Sequence, residues 1–266
     1  MIAALPMYDF GDLQGANDRL WQGIRDNLRG VGIAAPEALT RDMPDIWRLW
    51  RAPDLVLAQT CGSPYRNRLH GHVTLIGTPD YGLEGCAPGE YYSVFVVRSD
   101  DPREKLAEFE GAQLAYNEPL SQSGWAAPQN HALKAGLRLL PGVETGAHRL
   151  SAQAVAAGQA DIAALDAVTW RVLQRIDPVA GDLRVIAQTE PTTGLPLIAA
   201  LNQPRELIFD AVTNGISALP PKDRDILGLQ GLTRISAEAY LSVPNPPSPA
   251  QIGKSSCANW HANAAK

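Results

Sequence analysis

The first segment whose residue types could do chemistry is NEPLSQSGW, residues 117–125. It follows an apolar stretch typical of a strand and precedes a helical pattern, so Ser121, Gln122 and Ser123 are predicted to lie at the start of a helix. The first N–H groups of a helix have no partner within the helix, and with two hydroxyls they can surround an oxyanion without any Lys or Arg. A plain Ser N-cap explains the same residues equally well, and both interpretations stay open.

A second segment of this kind runs from Thr145 to Trp170. At its start, a turn of small residues can present a hydroxyl, a backbone N–H and the imidazole of His148 to a ligand. A short helix is predicted next, with Ser151 as its N-cap and Gly158 where its C-terminus falls.

The second half of this segment carries an acidic residue after an apolar run. Residues 160–165 have the pattern of a strand that is buried on both faces, which places Asp166 at its carboxyl end. Ligands of open α/β sheets bind at that end of the strands. Alternatively, Asp166 caps a helix over residues 168–174, and the two roles can coexist.

Polar residues follow several predicted strands in the same way. Tyr8 comes after the first predicted strand, and Thr60 ends the second. Because strand ends in a doubly wound sheet converge, we expect these two groups to face one crevice together with residues 121–123, His148 and Asp166.

The motifs of common enzyme classes are missing: GxGxxG after a strand, GxxxxGK[ST], HExxH and GxSxG. Ser123, His148 and Asp166 can be combined into a triad on paper, but geometry defines a triad, so no catalytic residue and no cofactor is predicted. His70 and His72 could ligate a metal. With no third ligand nearby in sequence, a solvated strand edge is favoured and no metal site is predicted.

Strand and helix patterns alternate from about residue 113 to 186, which is typical of βαβ units and of the α/β class. Two passages between lobes are predicted, near Arg98 and near Glu190. Lobe 1 is then residues 1–98 plus 190–266, and lobe 2 is residues 99–189.

Three local predictions accompany this division. A charged helix should run from Arg103 to Phe109, and the proline-rich stretch from about residue 241 should form an irregular tail. Trp47 and Trp50 fall on a helical face and are predicted to pack in the core or between lobes.

The net charge of -5 argues against a nucleic-acid partner and against attraction to anionic membranes. No apolar stretch approaches the roughly 18 residues of a membrane-spanning helix, so no membrane insertion is predicted. The N-terminal residues lack the basic region of a signal peptide. The predicted location is therefore the periplasm if a signal has been removed, and the cytoplasm otherwise.

The cysteines allow two interpretations. Cys61 and Cys86 both lie in Gly- and Pro-containing loops, where they either form a disulfide or remain separate thiols. Cys257 is predicted to be unpaired.

Taken together, these segments resemble a known family, the phosphate, phosphite and phosphonate substrate-binding proteins of ABC importers. The resemblance extends from Met1 to about Tyr240 and depends on five segments: QTCG (59–62), GTPDY (77–81), YYSVFVVRSDDP (91–102), SQSG (121–124) and GAHRLSAQAVAAGQADIAALDAVTW (146–170). It implies a two-lobed type II periplasmic-binding-protein fold. In this fold each lobe is a mostly parallel sheet flanked by helices, and two hinge strands join the lobes.

The resemblance also implies a function and a set of site residues. The protein would be a monomeric, non-enzymatic binding protein that closes on a small anionic or zwitterionic ligand, such as a phosphonate or phosphate, and delivers it to an ABC transporter permease. Residues 121–123 would hold the ligand oxygens, Tyr8, Thr60 and Tyr92 would add hydroxyls, and His148 and Asp166 would face the ligand. Asp166 would accept a hydrogen bond from a protonated acid or attract an ammonium group. Two alternatives remain, a cytoplasmic ligand-sensing protein and an enzyme on the same fold that resembles the pyrimidine-precursor synthases of thiamin biosynthesis.

Overall fold

The computed structural model of the protein describes residues 1–254, which form two compact units. Unit 1 contains Met1–Tyr91 and Thr192–Val243, and unit 2 contains Tyr92–Pro191 and residues 244–254. The expected lobe boundaries differ from these units in two respects. The chain leaves unit 1 after Tyr91 rather than near Arg98, and the segment after Val243 belongs to unit 2 rather than to lobe 1.

The secondary-structure elements are numbered in chain order. The strands are β1 (Ile2–Ala4), β2 (Leu55–Gln59), β3 (Val73–Asp80), β4 (Glu90–Tyr91), β5 (Ser93–Arg98), β6 (Gln113–Tyr116), β7 (Leu140–Glu144), β8 (Ile162–Asp166), β9 (Leu183–Gln188), β10 (Thr192–Thr193), β11 (Leu197–Ala200) and β12 (Gly231–Thr233). The α-helices are α1 (Gln14–Gly30), α2 (Ile46–Trp50), α3 (Gly62–Pro64), α4 (Ala127–Lys134), α5 (His148–Ala156), α6 (Ala167–Ile176), α7 (Arg205–Ala218), α8 (Pro221–Leu227), α9 (Ala237–Leu241) and α10 (Pro249–Lys254). Single π-helical turns cover Tyr65–Leu69 and Gln122–Ala126, and 3₁₀ turns cover Gly11–Leu13, Leu106–Phe109 and Pro178–Asp182.

Unit 1 is built on a sheet of strand order β1-β2-β11-β3-β12. All five residues of β2 are buried, because helices cover both faces of the sheet. On one face, α1 and α7 approach closely at two glycines. A Cβ on Gly215 would lie 2.6 Å from Cγ1 of Ile24, and a Cβ on Gly23 would lie 3.5 Å from Cα of Gly215. A side chain at Gly215 would push these two helices apart, whereas a Cβ on Gly23 would make an ordinary contact.

Unit 2 is built on a sheet of strand order β7-β6-β8-β5-β9, with the predicted strand β8 buried along its whole length. The α/β fold class is confirmed, but the strand pairing is mixed rather than mostly parallel. β5 runs antiparallel to both β8 and β9, and in unit 1 β11 runs antiparallel to both β2 and β3. Each of these two strands follows a passage of the chain from the other unit, and β12 also runs antiparallel to its neighbour β3.

The predicted charged helix over residues 103–109 is wrong in its extent. Only Leu106–Phe109 is helical, as a 3₁₀ turn. The Asp101 carboxylate accepts the N–H of Arg103 at 2.9 Å, which holds the chain in a turn at that point. Local side-chain bonds of this kind compete with helix formation.

The prediction of an irregular tail in lobe 1 is also corrected. Residues 244–248 are irregular, as predicted, but residues 249–254 form α10, and this last described stretch belongs to unit 2. Ile252 joins a core cluster that contains Trp125, and the indole N–H of Trp125 donates to the carbonyl of Pro247 at 3.1 Å. One apolar side chain and one backbone carbonyl thus anchor a segment whose composition alone indicates a loop.

Two further predictions concern the cysteines and the membrane. Cys61 is buried and Cys86 is partly exposed, and no disulfide joins them. Burial raises the pKa of the Cys86 thiol to about 11, which keeps it protonated. Cys257 lies outside the described residues. Within residues 1–254, no helix combines the length and the hydropathy that crossing a bilayer requires.

Candidate functional site

Ser121, Gln122 and Ser123 lie at the start of a helical run in unit 2 that continues from the π-helical turn at Gln122–Ala126 into α4. All three are buried. The Ser121 hydroxyl accepts the N–H of Gly124 at 2.9 Å, so the N-cap interpretation describes this side chain. The first N–H groups of the helix are nevertheless gathered at this point, as the sequence predicts.

Gly124 fixes this helix start against the preceding loop. A Cβ at position 124 would lie 1.9 Å from Oδ1 of Asn117, a separation that no pair of unbonded atoms tolerates. Only glycine therefore allows the backbone to approach the Asn117 side chain so closely. The segment NEPLSQSGW thus brings its own loop into contact with the helix start.

Ser123 joins this helix start to His148, the first residue of α5. Oγ of Ser123 lies 2.7 Å from Nε2 of His148, and the hydroxyl of Ser93 donates to the carbonyl of Ser123 at 3.0 Å. The prediction of Ser151 as N-cap is wrong, because the N-cap of α5 is Ala147, four residues earlier, and the helix begins at His148. Ser151 is instead a fully buried helical residue.

The Ser151 hydroxyl is satisfied by a tertiary partner, Oγ1 of Thr145 at 2.7 Å. This bond explains how a serine with a strong preference for the cap position is accommodated inside a helix. The predicted end of the helix is confirmed, since Gly158 has a φ of 70° and its N–H donates to the carbonyl of Val155 at 2.9 Å.

The imidazole of His148 is neutral at physiological pH. Burial lowers its pKa from 6.5 to about 4, and the nearby backbone of Ala164 opposes this shift only partly. Nδ1 is buried and makes no hydrogen bond of acceptable geometry to any residue among the 254 described. Nε2 is paired with the Ser123 hydroxyl, and the backbone of Ala164 is the other polar group that acts on the ring.

Asp166 lies at the carboxyl end of β8, opposite Ser93 in the register of β5 and β8. It is buried, and its Oδ1 accepts the N–H groups of Val168 at 2.7 Å and Thr169 at 3.0 Å. Asp166 is therefore the N-cap of α6, which is the alternative role that the sequence allowed. Its position at the end of a buried central strand is also the one predicted.

Tyr92 lies directly before β5 and is partly exposed. Its carbonyl accepts the N–H of Ala167 at 3.1 Å, so its backbone is held beside the Asp166 cap. Within unit 2, the structure thus links the helix start at Ser121–Ser123 to His148 directly, and to the β8 end through Ser93.

Tyr8 and Thr60 belong to unit 1. The ring of Tyr8 packs edge to face on Tyr81, with centroids 4.9 Å apart, and Gln59 donates to the Tyr81 hydroxyl at 3.1 Å. These side chains share a small cavity of about 30 Å³. Its walls are mostly apolar and come from α1, α7 and α8: Leu20, Ile24, Val212, Ile216 and Leu227.

Thr60 is completely buried at the end of β2. Its N–H donates to the carbonyl of Pro196 at 2.9 Å, but its hydroxyl has no partner within the described part of the chain. Buried hydroxyls are rarely left unsatisfied in proteins, so this side chain calls for a functional explanation.

Sequence reasoning passed over three polar residues of unit 1, of which Gln59 and Arg66 are buried and Tyr81 is half-buried. Gln59 and Tyr81 adjoin Tyr8. The sequence pointed to both residues, because Gln59 lies in QTCG and Tyr81 lies in GTPDY, two of the segments that carry the family resemblance. Arg66 is a buried cation in the turn Tyr65–Leu69, and burial lowers its pKa. Little in the sequence indicated that Arg66 is buried, because the pattern YRNRL is typical of an exposed helical stretch.

The structure gives no support to a metal site. No group of three or more His, Cys, Asp or Glu side chains within residues 1–254 is arranged to hold a metal ion. His70 and His72 are exposed, as the favoured interpretation expects, but they lie in the turn before β3 rather than at a strand edge.

Comparison with known proteins identifies the family. A model of the periplasmic substrate-binding proteins of phosphonate ABC transporters matches residues 19–240. A comparison with curated protein sequences found no match.

Solved structures with similar folds include three at low sequence identity. XAC2383 from Xanthomonas citri, bound to chloride, has 16% identity and a TM-score of 0.67, with 96% of this chain and 97% of that chain covered. PhnD1 from Prochlorococcus marinus, in complex with methylphosphonate, has 16% identity and a TM-score of 0.66, with 90% and 93% covered. A binding-protein component of an ABC phosphonate transporter from Pseudomonas aeruginosa has 17% identity and a TM-score of 0.64, with 90% and 82% covered.

These similarities show the fold, which is the type II periplasmic-binding-protein fold expected from the sequence. The matched family consists of substrate-binding proteins, which confirms the prediction that the chain is not an enzyme. The chain belongs to the family of periplasmic substrate-binding proteins of phosphonate ABC transporters.

Proposed function

We propose that this solute-binding protein binds a small phosphonate or phosphate-like oxyanion and delivers it to an ABC importer. The observation that carries the proposal is the buried helix start at Ser121–Ser123, joined to a neutral His148 through the Ser123 hydroxyl. This arrangement offers N–H and O–H donors to an anion without a cationic side chain from the same segment.

Because the imidazole is neutral, the role of the Ser123–His148 pair in this proposal is to orient a hydroxyl group. When Nε2 carries the proton, it donates to Oγ of Ser123, and the Ser123 hydroxyl is then oriented to donate to a ligand oxygen. His148 in this proposal acts through Ser123 as a positioning residue, in place of the direct ligand contact expected from the sequence.

The acidic residue restricts the ligands that the site accepts. Asp166 is a buried carboxylate at the strand end nearest Ser93, and a fully ionised dianion beside it would be repelled. We therefore propose that the ligand is singly ionised or carries an ammonium group. The buried Thr60 hydroxyl and the cavity beside Tyr8 are proposed as the contribution of unit 1.

Isothermal titration calorimetry tests the proposal directly. Methylphosphonate, 2-aminoethylphosphonate and inorganic phosphate should bind. Two compounds serve as controls: methanesulfonate lacks the second ionisable oxygen, and glycine lacks the phosphorus oxyanion. If none of the phosphorus compounds binds at millimolar concentration, the proposed ligand class is wrong.

Closure of the two lobes on the ligand, a monomeric state and a periplasmic location belong to the same proposal. Small-angle scattering with and without ligand should show a smaller radius of gyration in the bound state. Light scattering tests the monomer, and fractionation of cells that express the native gene tests the location. Uptake of radiolabelled ligand by vesicles that contain the cognate permease tests delivery.

A further inference from the structure

Two arginines lie over the ring of one half-buried tryptophan of unit 1, and a third arginine follows that tryptophan in sequence. We name Trp47, Arg48, Arg51 and Arg68 the arginine–tryptophan patch. The guanidinium carbons of Arg51 and Arg68 lie 5.4 and 5.1 Å from the centroid of the Trp47 ring, within the range of cation–π contacts. Arg48 follows Trp47 in α2, and all three arginines are exposed. Trp50 is buried in the core, as expected, and Trp47 is half-buried and packs against the same core cluster with one part of its ring system left at the surface.

The charge of this patch is not neutralised locally. None of its arginines forms an ion pair with a carboxylate of residues 1–254, although other arginines such as Arg41, Arg103 and Arg234 do. In a chain with a net charge of -5, two guanidiniums over one ring and a third arginine in the adjoining groove form a local concentration of positive charge.

The patch borders an open groove with a volume of about 460 Å³. Besides Trp47, Arg48 and Arg51, the groove is lined by apolar side chains and two acids: Ile2, Met43, Ala52, Pro53, Asp45 and Asp54. Both acids have partners. Asp45 caps α2 by accepting the N–H groups of Trp47 and Arg48, and Asp54 pairs with the amino group of Met1.

We propose that the arginine–tryptophan patch and its groove dock an acidic segment of a partner protein, with carboxylates on the arginines and an apolar side chain in the groove. The guanidinium fork matches a carboxylate in a bidentate geometry, and an arginine pre-positioned on an aromatic ring loses little freedom on binding. A lipid surface fits less well, because it is flat and because membrane-binding patches are typically lysine-rich clusters of about four to eight basic residues. This inference does not depend on the identity of the small ligand.

The test uses the full chain and a defined probe, a fluorescein-labelled peptide of alternating glutamate and leucine, measured by fluorescence anisotropy at low ionic strength. The double variant R51A/R68A should bind the peptide on the order of tenfold more weakly than the wild type, since each exposed ion pair contributes a factor of about two to five. The matched control is Arg205→Ala, which removes another exposed arginine of unit 1 that lies outside the patch. It should leave peptide affinity within twofold.

Two further measurements make the result decisive. The midpoint of urea unfolding of R51A/R68A should match that of the wild type, so that loss of peptide binding is separable from unfolding whether or not the small ligand has been assigned correctly. Vesicles of phosphatidylglycerol form a separate arm. Equal peptide binding by wild type and R51A/R68A, or patch-dependent binding of the vesicles without binding of the peptide, would overturn the proposal.

Discussion

Oγ of Ser123 and Nε2 of His148 lie 2.7 Å apart, and this bond connects the helix start after β6 to the first residue of α5. The two residues are 25 positions apart in sequence, and β7 lies between them. Because burial keeps His148 neutral, the bond joins two neutral groups and orients a hydroxyl without adding charge.

Removing either partner of this bond should weaken ligand binding to a similar extent. We expect S123A and H148F each to lower the affinity for methylphosphonate by roughly threefold to tenfold, the effect of one neutral hydrogen bond. The double variant should lose little more than either single variant, because His148 acts through Ser123. Calorimetry on the four proteins completes the cycle, and strictly additive losses would show that both side chains contact the ligand independently.

Acidification should destabilise the protein through His148. Its pKa is about 4 in the folded state and 6.5 as the ordinary value, so between these values the unfolded chain binds more protons. Stability therefore falls as the pH decreases from 6.5 towards 4. Urea unfolding at pH 7 and pH 5 should show a smaller loss for H148F than for the wild type. His70→Gln, at an exposed position, is the matched control and should retain the full loss.

Asp166→Asn separates the capping role of this residue from its charge. Asparagine caps helices about as well as aspartate, so we expect the midpoint of urea unfolding to change little. The ranking of ligands should change instead, with 2-aminoethylphosphonate losing affinity relative to phosphate. D166A, which removes the bonds to Val168 and Thr169, should cost about 1 kcal/mol of stability. An unchanged ligand ranking for D166N would remove the carboxylate from the site.

Gly124→Ala should disrupt the helix start. The added Cβ would collide with the Asn117 side chain, and we expect a loss of roughly 1–3 kcal/mol in the free energy of unfolding, as for other overpacked sites. Gly181→Ala is the control within unit 2, because a Cβ there meets nothing within 4 Å. Restoration of stability by the double variant N117S/G124A would confirm the collision as the cause, whereas equal stability of G124A and G181A would contradict it.

Sequence patterns predicted those parts of the fold that depend on local chemistry. The apolar run before Asp166 identified β8, and Gly158 identified the end of α5 because a left-handed residue favours glycine. Ser151 misled the prediction, since its hydroxyl bonds to Thr145, a tertiary partner that no local pattern reveals.

Other features depend on relationships across the chain. A strand buried on both faces has the same composition whether its neighbours run parallel or antiparallel, so the reversed directions of β5 and β11 could not be predicted. The burial of Arg66 is likewise set by distant packing rather than by its neighbours in sequence. The polar residues at strand ends were found because their positions follow directly from the strand pattern.

The packing of Ile252 on unit 2 has a practical consequence. The chain passes between the units after Tyr91, after Pro191 and again after Val243, which is an odd number of passages, so its first and last described residues belong to different units. A donor dye near Met1 and an acceptor dye near the last described residues would therefore report changes in the distance between the two units by energy transfer.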